Sequence, residues 1–149
     1  METIVRKGTK TDLPVILELI HELARYEKAP HEVNNSVEQM LVDGFGAHPV
    51  FEFIVAENSQ GIVGTSIYYY RYSTWKGKRL WLEDLVVFEK HRGSGAGKLL
   101  FDATVEIAKG TGCTGMMWQV LDWNEPAINF YKKYSTNFDG EWLNCNIDF

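Results

Sequence analysis

Arg92-Gly93-Ser94-Gly95-Ala96-Gly97-Lys98 places three glycines at alternate positions between two patterned segments. The run before it, Leu80-Trp81-Leu82-Glu83-Asp84-Leu85-Val86-Val87, is rich in strand formers, and Ala96, Leu99, Leu100, Ala103 and Ile107 recur after it at helical spacing. Glycines let backbone N–H groups close on an anion, and the unpaired N–H groups of a first helical turn point at it with the positive end of the helix dipole. A pyrophosphate suits such a junction, and an ordinary strand-to-helix turn is the plainer alternative. A Walker loop is excluded, because Arg92 stands at the first glycine position and Leu99 stands where a magnesium-binding hydroxyl belongs. A dinucleotide fingerprint needs G-x-G-x-x-G, whereas the spacing here is G-x-G-x-G with no βαβ unit opening the chain.

What fits is R-x-x-G-x-G, formed by Arg92, Gly95 and Gly97, which resembles the acyl-CoA signature of the GNAT superfamily of N-acetyltransferases. A longer stretch, Asp122-Trp123-Asn124-Glu125-Pro126-Ala127-Ile128-Asn129-Phe130-Tyr131-Lys132-Lys133, resembles the segment that follows the fifth strand in these enzymes. The resemblance implies that backbone groups of Leu85, Val86 and Val87 hold the pantetheine arm of acetyl-CoA. It also implies that Gly93, Ser94, Gly95, Ala96, Gly97 and Lys98 wrap the pyrophosphate, with Arg92 and Lys98 as the cations in reach. Asn124, Glu125, Pro126 and Ala127 would contact the cofactor, and Tyr131 would protonate the departing CoA thiolate. A phenol of pKa near 10 can protonate a thiolate whose thiol pKa is about 8.5, typically contributing about 100- to 10,000-fold. A Phe-Tyr pair on a helix also serves plain packing.

An acceptor alkylamine of pKa about 10.4 must lose a proton, which costs roughly 4 to 5 kcal/mol at pH 7. Glu83 interrupts the apolar strand just before the cofactor segment and is the expected proton acceptor. Asp84 is expected on the opposite face if the strand is regular, and a bulge would alter this. The alternative for the two carboxylates is an exposed or salt-bridged pair at such a bulge. Finer resemblance is to the spermidine/spermine branch, or diamine acetyltransferases, some of which acetylate thialysine. It rests on Glu22-Leu23-Ala24-Arg25-Tyr26-Glu27, Asp43-Gly44-Phe45-Gly46-Ala47-His48-Pro49, Tyr68-Tyr69-Tyr70-Arg71-Tyr72, Leu82-Glu83-Asp84 and Trp123-Asn124-Glu125-Pro126. That branch implies an amine pocket lined by Tyr26, Glu27 and Glu83 and bordered by Met117, Trp118 and Gln119. Tyr26 and Glu27 read otherwise as a surface helix end.

These residues require elements to hold them. A first strand spans Thr3 to Lys7, and Leu13, Ile16, Leu17, Ile20 and Leu23 mark a helix to about Tyr26, capped by Thr9 with Asp12 or by Thr11. A short helix through Val37, Met40 and Leu41 stops near Asp43-Gly44, and Phe51 to Glu57 with Ile62 to Tyr72 form a hairpin. A turn around Trp75 to Lys78 leads to the Leu80 strand; beyond the glycine-loop helix, Gly115 to Val120 is a strand, Glu125 to Tyr134 a helix and Trp142 to Phe149 a last strand. The order β, α, α, β, β, β, α, β, α, β predicts an α/β fold, and the resemblance implies the acyl-CoA N-acyltransferase fold, a mixed central sheet with helices on both faces. Where the family turns through Gly after the last helix, this chain has Tyr134-Ser135-Thr136-Asn137-Phe138, and Asn137 can supply the left-handed conformation instead.

With 149 residues, 45% apolar and 23% charged, the chain is read as one domain, 1–149, without linkers or repeats. A net charge of −5 argues against a general nucleic-acid binder and mildly favours a cationic substrate. No membrane partner is expected, since no apolar run approaches about 20 residues, and with no signal-peptide core at the N-terminus a cytoplasmic protein is expected. Cys113 and Cys145 are read as free thiols, and His21, His31, His48 and His91 lack metal-ligand spacing, so no metal is expected. The resemblance adds a homodimer and a small-molecule amine substrate. Competing readings are a protein lysine or N-terminal acetyltransferase, a non-catalytic acyl-CoA sensor, and a nucleotide-binding protein unrelated to CoA.

Overall fold

The computed structural model describes residues 2–149, in two compact units, the first ending at Gln119 and the second spanning Val120–Phe149. The first holds a five-stranded sheet in the order β1-β2-β3-β4-β5, with β1 Ile4–Lys7, β2 Glu52–Asn58, β3 Gly61–Ser73, β4 Gly77–Val87 and β5 Met116–Met117. β1 to β4 pair antiparallel and β5 runs parallel to β4, so the sheet is mixed. Helices α1 Leu13–Tyr26 and α2 Val37–Phe45 precede β2, and α3 Ala96–Gly110 links β4 to β5. Among the described residues no helix is long and apolar enough to cross a membrane.

Strand alternation decides which helix covers which face. Phe53 and Val55 of β2, Ile67 of β3 and Val86 of β4 pack with Leu13, Ile16 and Leu19 of α1 and Met40 of α2 in one buried cluster. Ser66, one residue from Ile67, points the other way and meets Thr104 of α3, hydroxyl to hydroxyl at 2.7 Å. Thr104 Oγ1 also lies 2.7 Å from the Leu100 carbonyl, so a polar pair inside the α3 layer is satisfied and ties helix to sheet. Helices therefore cover both faces of the sheet, as the family resemblance implied.

The start of α1 is fastened by charge. Asp12 accepts from the Thr9 N–H at 2.8 Å, and Arg6 spans Asp12 and Glu57, at 2.9 Å to each. The Arg6 guanidinium, hydrogen-bonded to the buried Asp12 carboxyl, is the main cause that holds it below the ordinary carboxylate range. Thr9 and Asp12 do pair, but they box the 3-10 turn Lys10–Asp12 that leads into α1 instead of capping α1 itself, and Pro14 enters in the first turn of the helix.

In the second unit Asn124 caps α4, Glu125–Tyr131, by accepting from the Ala127 N–H at 3.3 Å. The helix stops three residues before the expected Tyr134, and the Thr136 hydroxyl donates to the Tyr131 carbonyl at 2.7 Å, satisfying an end carbonyl that a further turn would have used. Asn137 does not take the expected left-handed role: among the described residues Lys28 is the one non-glycine with positive φ. The strand expected over 142–149 is absent as a regular element, and Trp142, Leu143, Ile147 and Phe149 are exposed. Alternating apolar residues suit a strand, but a strand also needs a ladder partner for its backbone groups. The same limit shortens the expected 115–120 strand to Met116–Met117, which is paired only with Leu80 and Trp81.

Candidate active site

β4 carries the densest chemistry, and a bulge arranges it. Ile67 pairs with Asp84 and Tyr68 with Leu82, leaving Glu83 as an extra residue. Trp81 pairs with Tyr69 on the face of Ile67, and its indole Nε1–H donates to Glu83 Oε2 at 2.7 Å. Glu83 and Asp84 therefore share one face, the face covered by α1, and the regular alternation that would have separated them is broken. Arg71 lies 5.1 Å over the Trp81 ring, and Tyr69 packs against the same ring at 6.5 Å. The result is an acidic and aromatic platform at the end of α1.

Glu83 is exposed and Asp84 half-buried. Burial, then the negative charges of Glu83 and Glu27, push the Asp84 carboxyl up to about 7. Glu27, the residue that closes α1, is itself raised by burial. Glu83 and Glu27 thus both act on Asp84, which gathers negative charge around one perturbed carboxyl. Among the described residues no three His, Cys, Asp or Glu side chains are placed to hold a metal ion. The expected Glu83 and Glu27 belong to this cluster, and Tyr26 is the last residue of α1. Asp84, whose ionisation the site perturbs most, would lie on the opposite face of a regular strand, and the bulge that the sequence also allowed brings it to the face of Glu83.

Of the three residues expected to border the amine pocket, Met117 of β5 pairs with Trp81 of β4, and Gln119, beyond the end of the strand, is exposed. Trp118 differs from the expectation, since its ring packs edge-on against Phe101 of α3 at 5.3 Å, on the other side of the sheet.

The edge of β4 facing β5 is paired only at Leu80 and Trp81. Beyond that point β5 offers Leu85, Val86 and Val87 no ladder, so this is where an extended arm could hydrogen-bond to backbone. Val87 is the exception, because its carbonyl accepts from Arg92 Nε at 3.2 Å. The glycine loop follows. Gly93 and Gly95 have φ of 80° and 89°, a left-handed backbone that costs glycine nothing, and Gly95 is the N-cap of α3. The amides of Ala96, Gly97 and Lys98 open the helix without intrahelical acceptors, next to the exposed Gly93, Ser94 and Gly95. A pyrophosphate or a similar anion fits this cradle.

The two cations expected beside it have other partners. Lys98 pairs with Asp102 one turn on, and Arg92 is turned toward α1, 3.6 Å from Glu22 and 5.3 Å over the Tyr26 ring. In the second unit Asn124 and Tyr131 are buried, Glu125 and Pro126 exposed, and Phe130 packs on Tyr131 with ring centres 5.5 Å apart.

β4 thus combines an open edge beyond Trp81 with a glycine cradle at the helix that follows and an acidic platform on the sheet. The acetyltransferase (GNAT) family profile matches residues 16–135, and the chain belongs to that family. It is an acetyltransferase. It is 41% identical over 138 residues to a mouse thialysine N-epsilon-acetyltransferase, covering 87% of this chain and 81% of that protein. It is 37% identical over 134 residues to a human spermidine/spermine N(1)-acetyltransferase-like protein 1, covering 85% of this chain but 19% of that longer one. In fold it resembles an aminoglycoside acetyltransferase from an uncultured soil metagenomic sample solved with sisomicin, with a TM-score of 0.78, 18% identity and coverage of 99% and 96% of the two chains.

Proposed function

We propose that the chain transfers the acetyl group of acetyl-CoA directly to a primary amine of a small cationic acceptor: a diamine, a polyamine or a thialysine-like amino acid. The observation that carries this reading is the Glu83 bulge, which sets two consecutive carboxylates on one face beside the open edge of β4 and near Glu27. The thialysine acetyltransferase relatives support the same acceptor class.

Leu85 and the Val87 N–H offer backbone groups to the pantetheine arm, since Val86, two residues before the Phe88 amide that bonds Val63, turns its own toward β3, and the Gly93 to Lys98 loop holds the pyrophosphate. Acetyl-CoA supplies an activated acyl group. Glu27, Glu83 and Asp84 draw in the acceptor ammonium, and a carboxylate of the pair Glu83–Asp84, directly or through water, takes its proton so that the nitrogen lone pair is free to attack the thioester. Asp84, pushed up to about 7, is the group best matched to that task at neutral pH. Tyr131 gives its proton to the departing thiolate, a role assigned from the resemblance of the Asp122 to Lys133 segment. Asn124 to Ala127 serve the cofactor on the same ground. Tyr26 and Glu27 line the amine pocket with Met117 and Gln119 at its border.

The family match runs from 16 to 135, across the boundary of the two compact units, which supports one catalytic domain over 1–149. A homodimer in the cytoplasm completes the proposal, and sedimentation showing only monomer at micromolar concentration would contradict its first half. The acceptor class is tested by thiol release from acetyl-CoA with spermidine, putrescine, thialysine, lysine, an aminoglycoside and a lysine peptide. Turnover of the small di- and polyamines or thialysine is expected. Preference for the peptide, or no thiol release with any amine, would overturn it.

A further inference from the structure

Glu22 lies one helical turn before Tyr26 on α1, so both side chains leave the same face of the helix. Both reach Arg92. The guanidinium sits 5.3 Å over the Tyr26 ring and 3.6 Å from Glu22 Oε2, while its Nε donates to the Val87 carbonyl at 3.2 Å. Glu22 Oε2 also accepts from the Glu89 N–H at 3.0 Å, at the turn between β4 and the glycine loop. Glu22, Arg25, Tyr26, Glu89 and Arg92 line a cleft of about 450 Å³.

The contacts make a chain of dependence. Arg92 opens the glycine loop, its Nε is anchored to the end of β4, and its planar face is aimed at Tyr26. One position after Tyr26 stands Glu27, the carboxyl that acts on Asp84. A guanidinium has many rotamers, and one backbone bond through Nε does not fix its plane. The second fixed point is the Glu22 carboxylate, itself held by the Glu89 amide.

We propose that Glu22 is a positioning residue for acetyl transfer: it orients Arg92, and Arg92 in turn seats the Tyr26–Glu27 end of α1 that receives the amine. This rests on the acceptor pocket assigned above. The effect of Glu22 travels through the arginine. A residue that only supported the fold would disturb cofactor and amine use together, whereas this coupling reaches the amine side selectively.

The test is Glu22→Gln, which keeps an oxygen for the Glu89 amide and removes the charge opposite Arg92. The KM for the best amine rises about three- to tenfold, with kcat and the KM for acetyl-CoA within about twofold of the parent. Arg92→Lys combined with Glu22→Gln adds little further to the amine KM, because both act through one contact. In the unliganded chain, exchange of the Glu27, Lys28 and Ala29 amides, which bond to Leu23, Arg25 and Ala24, speeds up in Glu22→Gln while α3 amides do not change. An unchanged amine KM, additive effects of the two substitutions, or unchanged exchange at those amides would overturn the coupling. Faster exchange in a protein whose parent acetylates no amine would instead sustain the coupling and overturn the acceptor reading.

Discussion

Replacing Asp84 by Asn keeps the shape of the side chain and removes its charge from a half-buried site beside Glu83 and Glu27. Its carboxyl rises from an ordinary 3.8 to about 7. Those roughly three pH units correspond to about 4 kcal/mol at 1.36 kcal/mol per unit. The folded protein therefore holds a proton that the unfolded chain has released between about pH 4 and 7, and stability falls across that window as pH rises. Below about pH 4 both states carry the neutral acid and the penalty vanishes. At pH 8, Asp84→Asn is accordingly more stable than the parent by about 2 to 4 kcal/mol, some of the full value being relieved by rearrangement in the parent. For a chain of this size that is a melting temperature higher by roughly 6 to 12 °C. At pH 4 the two proteins melt within about 2 °C of each other. Thermal unfolding followed by circular dichroism at both pH values measures this directly. In the parent the acidic limb of kcat/KM for the amine lies near pH 7, and it disappears in Asp84→Asn along with most of the turnover. A stability gain equal at both pH values, or none at pH 8, would refute the electrostatic origin. An acidic limb that survives the substitution would refute the role of Asp84 in taking the proton.

Two further substitutions probe other parts of the molecule. Tyr131→Phe lowers turnover at least tenfold with acetyl-CoA affinity little changed, read by steady-state thiol release and calorimetry, and near-normal turnover would remove the phenol from the proton path. Thr104→Val leaves the buried Ser66 hydroxyl without its partner at 2.7 Å and costs about 1 to 3 kcal/mol in urea unfolding; adding Ser66→Ala recovers part of the loss, because no polar group is then left unpaired.

Local pattern made most of the fold readable. The stripe Leu13, Ile16, Ile20 and Leu23 specified α1, whose end at Tyr26 came out as expected, and the glycines specified the turn into α3. The strands with cross-strand partners, β2 to β4, were legible for the same reason. What failed depended on pairing: β5 lasts only while it faces Leu80 and Trp81, and 142–149 alternates without forming a strand. For the site, sequence found the carboxylates but not their geometry. Two acids in an apolar run admit both a regular strand and a bulge, and the choice is made by the register of β3 against β4, a non-local property. The R-x-x-G-x-G pattern located the loop correctly. It could not reveal that Arg92 turns to Glu22 and Tyr26, since those partners lie about seventy residues earlier in the chain.

Direct transfer to an amine is tested most squarely by mass balance. With acetyl-CoA and the best acceptor of the panel, the free thiol released should equal the N-acetylated amine formed, initial-rate lines for the two substrates should intersect, and the protein mass should stay unchanged throughout. Thiol released without acetylated amine, or acetyl found on the protein as an intermediate that then supplies the amine, would contradict the account.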